Sequence, residues 1–358
     1  MNTIKCREPI SINAFKYRYS IQTGISCSLP VLGITTILTL LPAIIYGCSG
    51  PEPVFVADEF QTDVRIMGTL SKSIDNAECI DILVFNDDAL QRLDTYQRFA
   101  SGSYTSVKAS SSVGKKIMTV VVNGQRDRYG WAEILSHRDM YGICGKLENE
   151  ISSQPLMSGE CRIKAGNPTD IKVQKLSSEV HLRSISCDFR GKSYEGKELT
   201  DVRIYLTNVN AEANILNDTP YLPTRIINNG KLEMADVNAF KEPESIFREL
   251  TYTIGTIARD PEIRFRCYPN ETEAEGPGSP FTRLVIEGKI DGSTYYWPIN
   301  INRENKGTGV SRNCRYVYDV RLTRLGHTDP DIPVETEEAE IIMEIEPWEE
   351  LEEYGVRF

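Results

Sequence analysis

The chain has 358 residues, of which 40% are hydrophobic, so it holds enough apolar material for one large domain or two of ordinary size. Its formal net charge is −11. A body this acidic offers no broad basic face to a phosphate backbone, which makes nucleic acid an unexpected partner. Flat contact with anionic lipid heads is equally disfavoured, so any membrane attachment must come from the N-terminal region.

The N-terminal region has the pattern of an export signal. Residues 29–47 read LPVLGITTILTLLPAIIYG, carry no charge and follow a basic stretch. Ile45, Gly47 and Cys48 fit a lipobox, with an aliphatic residue, a small residue and the cysteine that takes the lipid. We therefore predict that residues 1–47 are a lipoprotein signal peptide and that Cys48 is the lipid-attachment residue. An uncleaved anchor helix remains open, because 19 apolar residues can just span a bilayer, and so does an ordinary signal peptide.

After Cys48 the chain reads as short apolar or alternating runs separated by turn residues, which predicts strands. Strands are expected at residues 64–70, 79–85, 117–122, 171–176, 180–186, 202–207, 263–267, 283–290, 295–301, 316–322 and 340–345. Asn123-Gly124 is a strong turn dipeptide, and residues 270–280 have the composition of a loop. This pattern predicts an all-β protein with minor helix, built from β-sandwiches.

Helical signals are few. Apolar residues recur at three- and four-residue spacing between positions 131 and 151, which predicts one or two short helices. Residues 245–250 are expected to form a further helical turn. We place the domain boundary near Ser177, which gives an N-terminal domain at 48–176 and a C-terminal domain at 177–358.

The sequence shows no reactive chemistry. Its three histidines fit no metal motif, and GxSxG, P-loop and GxGxxG patterns are absent. The acidic turn at residues 328–331 is better explained as a turn than as a calcium site. Six cysteines follow Cys48 without a CxxC pair and are expected to be mostly free thiols. We therefore expect no enzyme activity, no metal and no cofactor.

Several segments, taken together and in order, resemble the fimbrillins, the subunits of type V pili. The segments are residues 79–99, 117–125, 155–159, 201–216, 295–302, 312–331 and 340–350. Each is weak alone, because apolar strands and turns are common, but the ordered set behind a lipobox is specific.

The resemblance implies two transthyretin-like β-sandwich domains in tandem and a structural role in cell adhesion. It implies export to the outer membrane as a lipid-anchored (palmitate-type), surface-exposed protein of a fimbrium. In polymerising members a trypsin-like protease cuts after a basic residue in the first domain, and the N-terminal strand leaves. A strand from another subunit then fills the open groove by β-strand addition. The expected partners are other fimbrial subunits, with host or bacterial surfaces as ligands.

The residues of this chain allow that mechanism. Residues 64–70 are the candidate leaving strand, and Lys72 follows it in a polar stretch. Arg65 is also basic, but it lies inside the predicted strand and is therefore a poorer protease site. Lys72 can equally be read as an ordinary solvated lysine.

The candidate donor strand lies within residues 340–358. Its apolar face is formed by Ile341, Met343 and Ile345, and the C-terminal continuation adds Trp348, Val356 and Phe358. The same segment can also be the last strand of the protein's own second domain, and one strand can serve both roles. A strand-like tail favours a stalk or anchor role over a tip role.

An alternative function is a surface carbohydrate-binding lipoprotein. That role requires exposed aromatic side chains on one face, for which the candidates are Trp131, Trp297, Trp348, Tyr295 and Tyr296. Packing within strands explains these residues more simply.

Overall fold

The computed structural model describes residues 59–68, 74–100, 102–104, 106–124, 131–216, 220–303, 307–335 and 338–348. The first half of this body contains eleven strands. They are β1 Glu59–Met67, β2 Ile74–Ala77, β3 Ile80–Asn86, β4 Leu93–Phe99, β5 Gly102–Tyr104, β6 Val107–Ser112, β7 Lys115–Val122, β8 Cys144–Lys146, β9 Met157–Lys164, β10 Thr169–Lys172 and β11 Gln174–Lys175.

The second half contains a further eleven strands. They are β12 Ser178–Cys187, β13 Thr200–Thr207, β14 Val209–Asn210, β15 Glu212–Asn214, β16 Ile226–Ile227, β17 Phe247–Glu249, β18 Ile263–Cys267, β19 Arg283–Ile290, β20 Ser293–Asn300, β21 Cys314–Leu322 and β22 Ala339–Pro347. Helix is confined, among the described residues, to α1 Met234–Asn238 and the 3₁₀ helices Trp131–Glu133, His137–Gly142, Leu147–Asn149 and Pro243–Ser245. The predicted all-β class with minor helix is confirmed.

Two sheets built only from first-half strands face each other. The smaller, here called the groove sheet, has the order β10-β1-β6, and the larger has the order β11-β9-β7-β3-β4. Val64, Ile66 and Ile171 of the groove sheet pack in one apolar cluster with Ile82 and Val120 of the larger sheet. The opposite face of the larger sheet is buried as well, since Leu83, Phe85 and Val121 belong to the main core. Burial on both faces explains why β3 and β7 read as continuous apolar runs instead of alternating ones.

Two four-stranded sheets form the second half. One, here called the tail sheet, has the order β18-β12-β21-β22, and the other has the order β17-β13-β19-β20. Their inner faces meet in the main core, where Tyr316 and Tyr318 of the tail sheet pack with Ile286 and Trp297. The described residues all fall within one compact unit, and the two halves are joined by pairing of β8 with β15. The predicted boundary near Ser177, and the transthyretin-like topology of each half, stay predictions.

The helical prediction for residues 131–151 is wrong in detail. Three short 3₁₀ helices occupy this stretch, and β8 interrupts them because Gly145 lies opposite Ala213 in a strand pair. A β-carbon on Gly145 would lie 2.7 Å from a methyl group of Leu156, so the pairing needs glycine there. Residues 245–250 are likewise not a helical turn, since β17 begins at Phe247 after the 3₁₀ turn.

The turn after β7 lies at the predicted Asn123-Gly124 dipeptide. Asn123 has a positive φ of 61°, a left-handed conformation that asparagine tolerates better than most residues. Its side chain accepts a hydrogen bond from the backbone N–H of Glu78 and donates one to the carbonyl of Pro155.

The six described cysteines are free thiols, and burial raises the pKa of Cys79 and Cys161 to about 11.

Candidate strand-exchange site

β1 is the central strand of the groove sheet. It pairs antiparallel with β6, where Val64 lies opposite Val107, and parallel with β10, where Ile66 lies opposite Ile171. Within the described part of the chain, neither β6 nor β10 has another partner in that sheet. Because neighbouring strands lie about 4.8 Å apart, loss of β1 would leave a gap of roughly two strand spacings between β6 and β10.

The side chains of β1 alternate between core and surface. Thr62, Val64 and Ile66 are fully buried, while Asp63 and Arg65 point outward and are exposed. Burial of a valine or isoleucine side chain is worth about 1.5–3 kcal/mol. β1 therefore contributes several kcal/mol to the first sandwich, and the groove that it fills is apolar.

Of the two predicted processing residues, the structure describes Arg65, which lies inside β1 as predicted. β1 begins at Glu59, five residues before the predicted start of the strand, and includes Arg65, whose guanidinium lies 3.1 Å from the carboxylate of Asp170. Cleavage after Arg65 would require β1 to be out of its sheet. Lys72 and the lipid-attachment residue Cys48 lie outside the described residues.

The candidate donor segment forms the outer strand of the tail sheet. β22 pairs antiparallel with β21 from Ala339 opposite Leu322 to Pro347 opposite Cys314, and its other edge has no strand partner among the described residues. Ile341 and Met343 are half-buried against the main core, and the Tyr318 hydroxyl donates to the Met343 sulfur at 3.2 Å. The segment is thus an edge strand of its own second half and the last strand of the described residues.

The predicted apolar face of β22 is only partly covered. Ile345, on the same face as Met343, is 52% exposed, and Ile342 on the opposite face is 61% exposed. Val356 and Phe358 lie outside the described residues.

Apart from Ile342, the outward side chains of β22 are acidic, and they pair with arginines of the tail sheet. Glu344 accepts a hydrogen bond from Arg183 at 3.0 Å, and Arg183 also pairs with Asp319. The hydrogen bonds from Arg183 lower the pKa of Asp319 below its usual value against an opposing effect of burial. Glu340 pairs with Arg321 at 3.1 Å. Such partly exposed pairs contribute little individually and are weakened by salt.

Trp348 fixes the end of β22. Its side chain is only 4% exposed, and its backbone N–H donates to the carbonyl of Asn313 at 3.3 Å. Lys175 of β11 lies 4.2 Å from the ring centroid and Arg266 of β18 lies 5.4 Å from it. Cations at these distances over an indole ring are attracted to its face. Trp348 therefore ties the tail to both halves, a role that sequence reasoning did not assign to it.

The tryptophans do not form an exposed aromatic platform. Trp131, Trp297 and Trp348 are all less than 5% exposed, and Trp297 donates its indole N–H to the carbonyl of Arg324 at 3.1 Å. Tyr295 and Tyr296 are half-buried. These observations give no support to the carbohydrate-binding alternative.

The acidic turn at residues 328–331 is occupied by protein contacts. Asp331 pairs with the buried Arg283, and its backbone N–H donates to the side chain of Asp329 at 2.9 Å. Asn208 donates to the Asp331 carboxylate. Within the described ranges no cluster of histidine, cysteine or acidic residues could hold a metal ion. Of the helices in this part of the chain, none has the length and apolar character to cross a membrane.

The arrangement defines an all-β protein of paired sandwiches, with an N-terminal strand central to one sheet and a C-terminal strand at the edge of another. No family model and no curated sequence matches the chain. Solved structures do share its fold. A candidate cell adhesion protein from Bacteroides eggerthii superposes with a TM-score of 0.63 at 16% identity, covering 82% of this chain and 97% of that one.

Two fimbrial proteins of Porphyromonas gingivalis show the same fold. The fimbrilin FimA has a TM-score of 0.56 at 12% identity, covering 80% of this chain and 97% of its own. The tip fimbrial protein Mfa3, with a C-terminal truncation, has a TM-score of 0.50 at 13% identity, covering 81% and 100%. The chain therefore has a fimbrillin-like fold, as its sequence resemblance predicts.

Proposed function

We propose that this chain is a structural subunit of a cell-surface fimbria that assembles by β-strand exchange. The observation that carries the proposal is the position of β1, whose two neighbours in the groove sheet pair, among the described strands, with nothing else in that sheet. Loss of β1 exposes backbone donors and acceptors on both walls of an apolar groove, and an incoming strand can satisfy them.

The donor in this proposal is β22 of another copy or of a related subunit. Both β22 and β1 turn alternate side chains toward the core. Ile341 and Met343 of β22 are two residues apart in sequence, as are Val64 and Ile66 of β1. β22 is an edge strand, so it can leave its sheet without breaking a second strand pair. The similar folds of the fimbrilin FimA and the tip protein Mfa3 support this assignment.

In the same proposal the chain is exported as a lipoprotein, acylated on Cys48 and held at the outer membrane before processing after Lys72. Its partners are other fimbrial subunits, and the assembled fimbria supports adhesion to host or bacterial surfaces. A tail in strand conformation is compatible with a stalk or anchor subunit. N-terminal analysis of the protein from its native cell separates these two roles. A lipidated Cys48 with β1 retained indicates an anchor, and a new N-terminus at Ser73 indicates a polymerising subunit.

A disulfide staple across β1 and β6 tests the exchange directly. Asp63 and Lys108 lie directly opposite each other, and both are exposed, so the double variant D63C/K108C can form a bond without disturbing the core. After limited digestion with a trypsin-class protease, the reduced variant should release β1 and form fibres visible by electron microscopy. The oxidised variant should retain β1 and stay monomeric.

The control for the staple is the single variant D63C, which should polymerise equally with and without reductant. Equal fibre formation by the oxidised and reduced double variant would show that β1 does not need to leave, and the proposed function would then be wrong.

A further inference from the structure

A fully buried lysine lies at one end of the first sandwich, outside the strand-exchange site. Lys116, the second residue of β7, has no exposed surface. Its Nζ lies 2.6 Å from Oδ1 of Asn86, 2.7 Å from Oγ of Ser112 and 2.9 Å from a carboxylate oxygen of Asp94. Lysine is almost never buried this deeply without close polar partners, and here three polar side chains surround the ammonium group.

Three adjacent strands and the facing sheet hold these groups together. Lys116 and Asn86 lie directly opposite each other on β7 and β3. Asp94 is the extra residue of a β-bulge in β4, where the register shifts between Val84 and Phe85 of β3. A bulge redirects the side chain of the inserted residue. Ser112 of β6 donates both its backbone N–H and its hydroxyl to Asp94, each at 2.7 Å.

The cluster contains the three groups that an acyl transfer requires: an amine, an amide carbonyl and a carboxylate that can carry a proton. A carbonyl bond is about 1.2 Å long. The 2.6 Å hydrogen bond from Nζ to Oδ1 therefore keeps Nζ within about 4 Å of the amide carbon, and attack takes place from roughly 3–3.5 Å. Burial raises the pKa of Asp94, but hydrogen bonds from Lys116 and Ser112 outweigh it and hold the pKa below its ordinary value, so the carboxyl group is ionised before the reaction. Its role as proton carrier rests on its contact with Nζ.

We propose that Lys116 and Asn86 join in an intramolecular isopeptide bond, with Asp94 as the proton carrier. Asp94 takes one proton from Nζ, and the neutral amine attacks Cγ of Asn86. As the Nζ–Cγ bond forms, a second Nζ proton passes through Asp94 to Nδ2. The Cγ–Nδ2 bond then breaks and ammonia leaves. One amide replaces another, so the reaction needs no oxidant, no water and no further reactant.

The bond links β3 covalently to β7 within the five-stranded sheet. The linked residues enclose β4, β5 and β6, so the bond restricts the unfolded chain in the same way as a disulfide that closes a loop of this length. β6 is one wall of the groove that β1 fills. The bond therefore braces the part of the first sandwich that remains when β1 is absent, although its formation does not depend on strand exchange.

Mass spectrometry of the purified full chain tests the bond. A tryptic digest should contain a branched peptide that joins the Asn86 and Lys116 segments, with a mass equal to the two peptides minus one ammonia. The variant N86A should yield two separate linear peptides. Recovery of only linear, unmodified peptides from the folded wild-type protein overturns the proposal.

The role of Asp94 is tested separately. The variant D94N should fold, as judged by circular dichroism, but lose the branched peptide. D87N is the matched control, because Asp87 is a nearby β3-end carboxylate that pairs only loosely with Arg162 at 3.6 Å, and this variant should keep the branched peptide. A branched peptide in D94N would exclude Asp94 as the proton carrier. If D94N does not fold, the wild-type digest alone still decides whether the bond exists.

Discussion

Trp348 is a single buried side chain that anchors the end of β22. Its ring contacts Lys175 and Arg266, which come from different halves of the molecule, so its loss removes contacts to both. We expect the variant W348A to lower the free energy of unfolding by about 3 kcal/mol, the range found for buried aromatic residues replaced by alanine. Urea denaturation measures this loss directly.

The control for this variant is W348F, which keeps an aromatic face for both cations and should lose less stability. In W348A, hydrogen exchange of the β22 amides should also become faster, because the strand loses its anchor at one end. Unchanged exchange and unchanged stability would show that β22 is held by its pairing with β21 alone.

Acid should weaken the tail sheet through Asp319 of β21, which pairs with Arg183 of β12. Arg183 holds the pKa of Asp319 below its ordinary value, so the folded protein binds that proton less readily than the unfolded chain does. The resulting stability is present above the ordinary aspartate range near pH 4 and is lost as the pH falls through the lowered folded-state pKa. The urea midpoint of the wild type should therefore fall more steeply below about pH 4 than that of D319N. Parallel pH profiles for the two proteins would contradict this assignment.

At the scale of strands, the sequence predicts the strands whose side chains are buried on a sheet face. It misses strands that are held by side-chain hydrogen bonds to distant residues. β13 and β21 are recognisable because their apolar residues repeat in a sandwich pattern. β6 reads VKASSS, a weak strand signal. It is held because Ser110 accepts from Gln61 and Ser112 donates to Asp94, partners that are distant in sequence.

In the candidate site, too, the sequence predicts some features and not others. The alternation at Ile341 and Met343 predicted an apolar strand, and the structure places one there. The sequence could not show that β1 is the central strand of its sheet, because that depends on the pairing of distant segments with it. Nor could it show that Asn86 and Asp94 meet Lys116, since a bulge and a cross-strand register bring them together.

At the scale of the whole molecule, strand exchange predicts different surroundings for two exposed isoleucines of β22. Ile345 shares the face of Ile341 and Met343 that would enter a groove, whereas Ile342 lies on the other face. Both are more than half exposed in the monomer, so an aspartate at either position should leave the fold and its stability nearly unchanged.

In the assembled state the two variants should differ. A charge at position 345 would be buried in the groove without a partner, at a cost of several kcal/mol, so I345D should fail to polymerise after protease treatment. I342D should form fibres like the wild type. Electron microscopy and the laddering of SDS-stable oligomers measure the difference. Equal fibre formation by I345D and I342D would mean that this face of β22 does not enter the groove, and the donor would have to be sought elsewhere in the chain.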